Sequence, residues 1–260
     1  MNIVGQVESL WRYPIKSMAG ERLTEAFLGY AGVYGDRKYA FISAAGRKGF
    51  PYLTARELPR MVTYCPHYRD AALAVAPPNH AEAHRMGQLS PHYPSFAALQ
   101  VDVQTPSGER LAADDPALIA MLAGEGAPSD LSLVQSHRAM TDSRPVSLIS
   151  RQTVSQLADE TGVALDERRF RANICAELGA GGFAEDALVG RRLQIGSQAV
   201  VAVLEQDARC KIIALDPDTG EESPEVLRNV TRRHGRRAGV YCAVLREGLV
   251  RPADRIVVLD

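Results

Sequence analysis

Four cysteines, Cys65, Cys175, Cys210 and Cys242, carry the most chemical potential in this chain, and their spacing limits what that chemistry is. There is no CxxC pair and no tight cluster, which argues against a zinc ribbon, a cysteine-ligated iron–sulfur site and a disulfide framework. Cys210 stands apart by its neighbours: Arg209 precedes it and the segment LDPDTGE follows. An adjacent guanidinium favours the thiolate, the form that ligates a soft, redox-active metal. Taken alone, a free cysteine at a strand end packs as a small apolar residue.

Other patterns imitate known sites. Gly179 to Ala184 formally fits GxGxxA, but no βαβ alternation surrounds it, so it reads as a flexible loop. Asp216 and Asp218 open like a calcium loop, yet Gly220 comes one position early and Leu227 stands at the twelfth position, so a tight turn is expected. His80 and His84 have a ligand-like spacing of four, but Pro77 and Pro78 argue against the helix that would align them.

The elements that must position these residues are mostly strands. Short β-rich runs occur at the N-terminus, at 38 to 43, at 192 to 205, at 239 to 245 and at 255 to 260, separated by Gly, Pro, Asp and Ser turns. Three helices are predicted: one capped by Asp114 or Asp115 before Pro116, one opening near Ser150 and stopping at Gly162, and one capped by Ser223 before Pro224 and ending at Gly235. The stretch from Pro66 to Pro94 is expected to be irregular. Gly124 to Asp130 is soft enough to be a boundary, giving domains of residues 1–125 and 126–260.

With 260 residues, 46% hydrophobic and 23% charged, the chain has the composition of a globular protein. Its 30 basic and 31 acidic residues leave a formal net charge of -1, which gives no overall drive toward nucleic acid or an anionic membrane. No secretory signal or run of about 18 apolar residues is evident, so a cytoplasmic setting is expected.

An ordered set of segments carries more information than any one of them: Tyr13-Pro14-Ile15-Lys16-Ser17, Gly35-Asp36-Arg37, Leu53 to Arg60, Arg169 to Ile174, Arg209-Cys210 and Asp216 to Gly220. In this order they resemble the MOSC family, molybdenum-cofactor-binding proteins related to the C-terminal domain of molybdenum cofactor sulfurase. Its two-part members, such as the mitochondrial amidoxime reducing component and its bacterial counterparts, place an N-terminal β-barrel before the MOSC domain. Here Ala172 stands where the family often has proline.

The resemblance implies an α+β, β-dominated fold of two barrel-like domains with a few peripheral helices. It also implies molybdenum cofactor (Mo-molybdopterin), with Cys210 as the molybdenum ligand and catalytic residue. Lys16, Ser17, Arg37, Arg171 and Asn173 would hold the anionic cofactor, with Ser143 and Ser147 as further lining. Arg171 and Asn173 are expected on one strand face. The basic run Arg228, Arg232, Arg233, His234, Arg236 and Arg237 reads first as a helix C-terminus complement, second as a partner or cofactor contact. The implied activity is reduction of N-hydroxylated substrates such as amidoximes, hydroxylamines or N-hydroxylated bases. Cluster cysteines of the plant ferredoxin type are missing before Asp260, so a separate donor is expected: a ferredoxin, flavoprotein or cytochrome b5-like protein. The alternative is a non-enzymatic cofactor carrier or sulfur-transfer protein that uses Cys210.

Overall fold

Residues 2–47, 49–87, 90–179 and 181–259 are described in the computed structural model. Ala180 of the glycine-rich loop and Asp260 of the last expected strand lie outside them.

Seven strands close into a barrel in the order Ile174–Leu178, Val146–Ser150, Arg237–Arg246, Ala199–Ala208, Arg192–Ile195, Arg255–Val258 and Asn2–Arg12, the last pairing back to the first. Only Val146–Ser150 and Ile174–Leu178 run parallel. Closure leaves these strands no open edge. It depends on Gly5, because a Cβ there would sit 2.1 Å from the carbonyl oxygen of Glu177 on the neighbouring strand. The interior is filled by Leu10, Leu148, Ile174, Leu193, Val201, Val240 and Ile256, all essentially inaccessible. Each such side chain contributes about 1.5–3 kcal/mol on burial.

Three small three-stranded sheets make up much of the remainder. They enclose a second core around Ile15, Phe41, Met61, Tyr64, Val103, Leu118 and Leu122, which Leu215 joins from the far end of the sequence. The two cores do not divide at residue 125. Asn2–Arg12 belongs to the barrel made by residues 146 to 258, and Gly248–Val250 returns to pair with Ala26–Gly29.

Among the described residues, four helices flank the sheets: α1 His80–Met86, α2 Pro116–Gly124, α3 Arg151–Thr161 and α4 Pro224–Arg233. Capping follows residue chemistry in α2, where Asp115 accepts from the Ala117 amide, and in α3, where Ser150 accepts from the Thr153 amide and Gly162 closes the helix at φ 69°. Ser223 makes no such bond. α3 and α4 pack Val154, Leu157, Val226 and Val230 against Ile149, Phe170 and Ile213.

The Pro66 to Pro94 stretch departs from expectation. It contains the end of the strand Cys65–Tyr68 and all of α1. Pro77 and Pro78 precede the helix rather than interrupt it, Ala83 is buried, and the left-handed Gly87 ends it. Among the described residues, no helix is long and apolar enough to cross a membrane.

Candidate functional site

A cavity of about 290 Å³ is lined by Ser147, Asp207 and Tyr241 from barrel strands and by Lys16, Arg37, Thr54 and Arg56 from the N-terminal half. Its lining includes eight Lys or Arg side chains, two aspartates and Cys210. A near-neutral protein therefore concentrates positive charge at one point. Of the expected residues, Lys16, Ser17, Arg37, Ser147, Arg171 and Cys210 are brought together here.

The backbone is bent to present them. Ser17 (φ 69°), Arg37 (φ 45°), Arg171 (φ 52°) and Arg236 (φ 64°) are four of the six non-glycine residues at positive φ among those described, and all four line the cavity. Left-handed backbone costs an ordinary L-residue roughly 1–2 kcal/mol. Such strain persists only where surrounding contacts impose it, and it gathers at functional sites.

Lys16 enters from the loop after the first strand. Its ammonium donates to the Met140 carbonyl at 2.8 Å and pairs with Asp142. Burial lowers the lysine pKa, Asp142 opposes that effect, and Arg37 and Arg171 add to it. Burial also disfavours ionised Asp142, but Lys16, Arg56 and Arg37 outweigh it and hold the carboxyl below its usual range. The rings of Phe50 and Tyr52 stand 5.3 Å from the lysine nitrogen.

Arg37 and Arg171 lie over the ring of the buried Tyr13, with guanidinium carbons 4.6 Å and 4.3 Å from its centre. Arg37 is neutralised by the fully buried Asp36 at 2.5 Å, and its other nitrogen donates to the Arg171 carbonyl at 2.9 Å. Arg171 donates Nη1 to the Met18 carbonyl at 2.7 Å, while its shielded Nη2 has no partner among the described residues. Burial, reinforced by the like charge of Arg37, pushes the Arg171 pKa down to about 10.

Cys210 is half-buried and reduced, immediately before the short 3-10 turn Lys211–Ala214. Arg209 anchors the approach by donating Nε to Ala238 and Nη1 to Phe170 carbonyls, both at 2.7 Å. Its Nη2 lies 2.9 Å from Asp207 but lacks hydrogen-bonding alignment. Gly239, at φ 79°, makes the space: a Cβ there would sit 2.8 Å from the Leu148 carbonyl oxygen and 3.0 Å from Arg209 Nη2. Arg236 fixes the same segment by donating Nε to the Arg209 carbonyl. The other thiols are held protonated: burial raises Cys65, Cys175 and Cys242, the last to about 12.

The LDPDTGE segment is a tight turn, closed by Asp216 Oδ1 accepting from the Asp218 and Thr219 amides, with Gly220 at φ 75°. Its carboxylates clamp the chain before Arg171. Asp216 pairs with Arg169 at 3.0 Å, and Asp218 accepts two bonds from Arg168.

Two expected lining residues lie elsewhere. Asn173 is 1% exposed, accepts from the Ser147 amide and hydroxyl, and donates to the Trp11 carbonyl. It therefore ties three barrel segments together. Nor does it share a strand face with Arg171, which ends the 3-10 turn Glu167–Phe170 before the strand begins at Ile174. Ser143 donates to Glu205 at 3.2 Å and faces a larger neighbouring cleft, alongside His80 and His84. Of the basic run Arg228 to Arg237, Arg236 alone among the described residues reaches the cavity. Asp142, Arg144, Asp207 and Tyr241 also line it and carried no sequence signal, whereas Thr54 and Arg56 belong to the LTARELPR segment.

No three His, Cys, Asp or Glu side chains among the described residues converge as a metal cage. A metal that arrives with its own ligands needs only one protein thiolate, and the unpaired Arg171 donor fits the anion such a group carries.

Fold and cavity together define a β-barrel protein with one accessible thiol in a cation-lined pocket. Residues 135–257 match the MOSC domain and residues 4–118 the MOSC N-terminal beta barrel domain; the chain belongs to the MOSC family, in its two-part form. That membership supports molybdenum-cofactor binding. No curated protein matches the chain. Similar solved structures include the YuaD protein from Bacillus subtilis, 14% identical over 98% of this chain and 94% of that one, with a TM-score of 0.48. YiiM from Geobacillus stearothermophilus is 20% identical with a TM-score of 0.37, and YiiM from Escherichia coli 16% identical with a TM-score of 0.33. Both YiiM matches cover 45% of this chain and 55% of the other.

Proposed function

We propose that the cavity binds Mo-molybdopterin and that the protein is a reductase of N-hydroxylated compounds, with amidoximes, hydroxylamines and N-hydroxylated bases as the substrate class. The observation that carries this reading is the half-buried Arg171, which has no carboxylate partner among the described residues and a shielded, unpaired Nη2, in one cavity with the Cys210 thiol. When bound, the cofactor supplies two-electron chemistry at molybdenum.

This chain's residues hold and orient. Arg171 offers its free donor to an anionic group, and Lys16 and Arg37 set a positive field around it. Cys210 supplies the thiolate ligand. Asp36 and Asp142 keep the neighbouring cations charged in spite of burial, so the field survives where water is scarce. The electron donor in this reading is a separate ferredoxin, flavoprotein or cytochrome b5-like protein, because the four cysteines among the described residues, two of them buried in strands, offer no cluster ligation.

The test is reconstitution with molybdenum cofactor, then molybdenum analysis of wild type and Cys210→Ala, and turnover of benzamidoxime by chemically reduced protein. The expected result is loss of molybdenum in Cys210→Ala and turnover by wild type. Unchanged molybdenum in the variant removes the ligand assignment. Persulfide transfer without turnover replaces the reductase by a sulfur-transfer protein.

A further inference from the structure

Reducing an N–OH bond to N–H and water consumes two electrons and two protons, so a cavity that does this needs a proton donor. Asp207 is placed for it. It is 2% exposed yet lines the cavity that holds Cys210. It lies on the strand Ala199–Ala208, where the pairing with Arg237–Arg246 shifts register between Gln206 and Ala208. A bulge of this kind redirects a side chain, and bulges gather beside active sites.

Its surroundings suit a carboxyl that exchanges its proton. Tyr241, from the adjacent strand, lines the same cavity, and its hydroxyl acts on Asp207 to favour the carboxylate against burial. Arg209 Nη2 lies 2.9 Å away without the alignment of a hydrogen bond. The other charged groups acting on Asp207 are Arg37 and Asp142. Burial raises its pKa and Arg209 opposes that rise. Asp142, the other carboxyl of the cavity, is lowered instead and stays ionised beside Lys16. Two carboxyls driven in opposite directions in one pocket divide the roles of acid and charge balance.

We propose that Asp207 is the proton donor of this site, with Tyr241 as the residue that positions it; the assignment rests on the reductase reading above. In the step, two electrons delivered from the separate donor protein enter as the N–O bond breaks. The Asp207 O–H bond breaks, and its proton goes to the departing hydroxyl oxygen to give water. A solvent proton completes the nitrogen, and Asp207 is then reprotonated from solvent.

The experiment uses full-length reconstituted protein. Asp207→Asn is expected to keep wild-type molybdenum and pterin contents and to lose about 10²-fold or more in kcat, the usual contribution of a general acid. The wild-type decline of kcat on the alkaline side should be absent from the variant's residual activity. Tyr241→Phe should lose less and move that decline to a different pH. An independent readout needs no cofactor: infrared titration of the apoprotein should show a neutral carboxylic acid persisting above the normal aspartate range, absent in Asp207→Asn. An active wild type with an equally active Asp207→Asn, or no such carboxylic acid, overturns the assignment alone. A fully loaded but inactive wild type overturns the reductase reading and the assignment with it.

Discussion

Arg37 and Arg171 form a natural comparison. Arg37 is buried and Arg171 half-buried with its Nη2 shielded from solvent, both stand at positive φ, and both lie over the ring of Tyr13. Arg37 is balanced by Asp36, which also accepts from the Tyr13 amide at 2.8 Å. Among the described residues Arg171 has no carboxylate partner, and one of its nitrogens has nothing to bind. Leaving a charge buried and unpaired is costly, so a protein that neutralises one arginine and not its neighbour keeps the second for something else. Under the proposed function, Arg37 is scaffolding for the cavity wall and Arg171 is the receptor.

The largest expected effect comes from removing the balance on the scaffold side. Asp36→Asn leaves Arg37 buried without a counter-charge and should cost about 3–5 kcal/mol in urea unfolding. A loss well under 1 kcal/mol would erase the distinction between the two arginines.

On the receptor side the expected signature is opposite. Arg171→Met should leave the apoprotein at least as stable as wild type. Equilibrium binding should show molybdopterin affinity reduced about ten- to a hundredfold, the worth of a charged hydrogen bond of about 1.5–3 kcal/mol. A variant that unfolds easily but binds normally would reverse the two assignments.

Proton linkage gives a finer test of the scaffold wall. Lys38 is held by burial at about 8, with Asp36 opposing the shift, whereas its unfolded value is near 10.4. Between these limits the unfolded chain binds more protons, so this lysine makes stability rise as pH goes from about 8 to about 10. The sign then changes: Tyr39 is pushed by burial to about 12, and its unfolded form loses a proton first. Urea titrations of wild type and Lys38→Met across this range should show the rise in the first and its loss in the second. The smallest effect is expected outside the cavity, where Ser143→Ala should leave cofactor content unchanged.

Much of this site was legible in sequence because its residues sit in short, ordered segments. The caps Asp115 and Ser150 were readable too, since capping depends on residue type within a single turn. What escaped was non-local or conformational. Asn173 carries the side chain of a ligand-binding residue, and only its neighbours Trp11 and Ser147, distant in sequence, reveal it as a strut. Left-handed backbone is announced by glycine or asparagine, so nothing in serine or arginine forecasts it at Ser17, Arg37 and Arg171. Asp207 and Asp142 became visible only when folding surrounded them with cations.

The strand Asn2–Arg12 finds its barrel partners in Ile174–Leu178 and Arg255–Val258. During synthesis, the strand Asn2–Arg12 must therefore wait for Arg255–Val258. The barrel wall behind the cavity closes only after residue 258 has left the ribosome, so a nascent chain holds Lys16 and Arg37 without the Arg171 and Cys210 that complete the pocket.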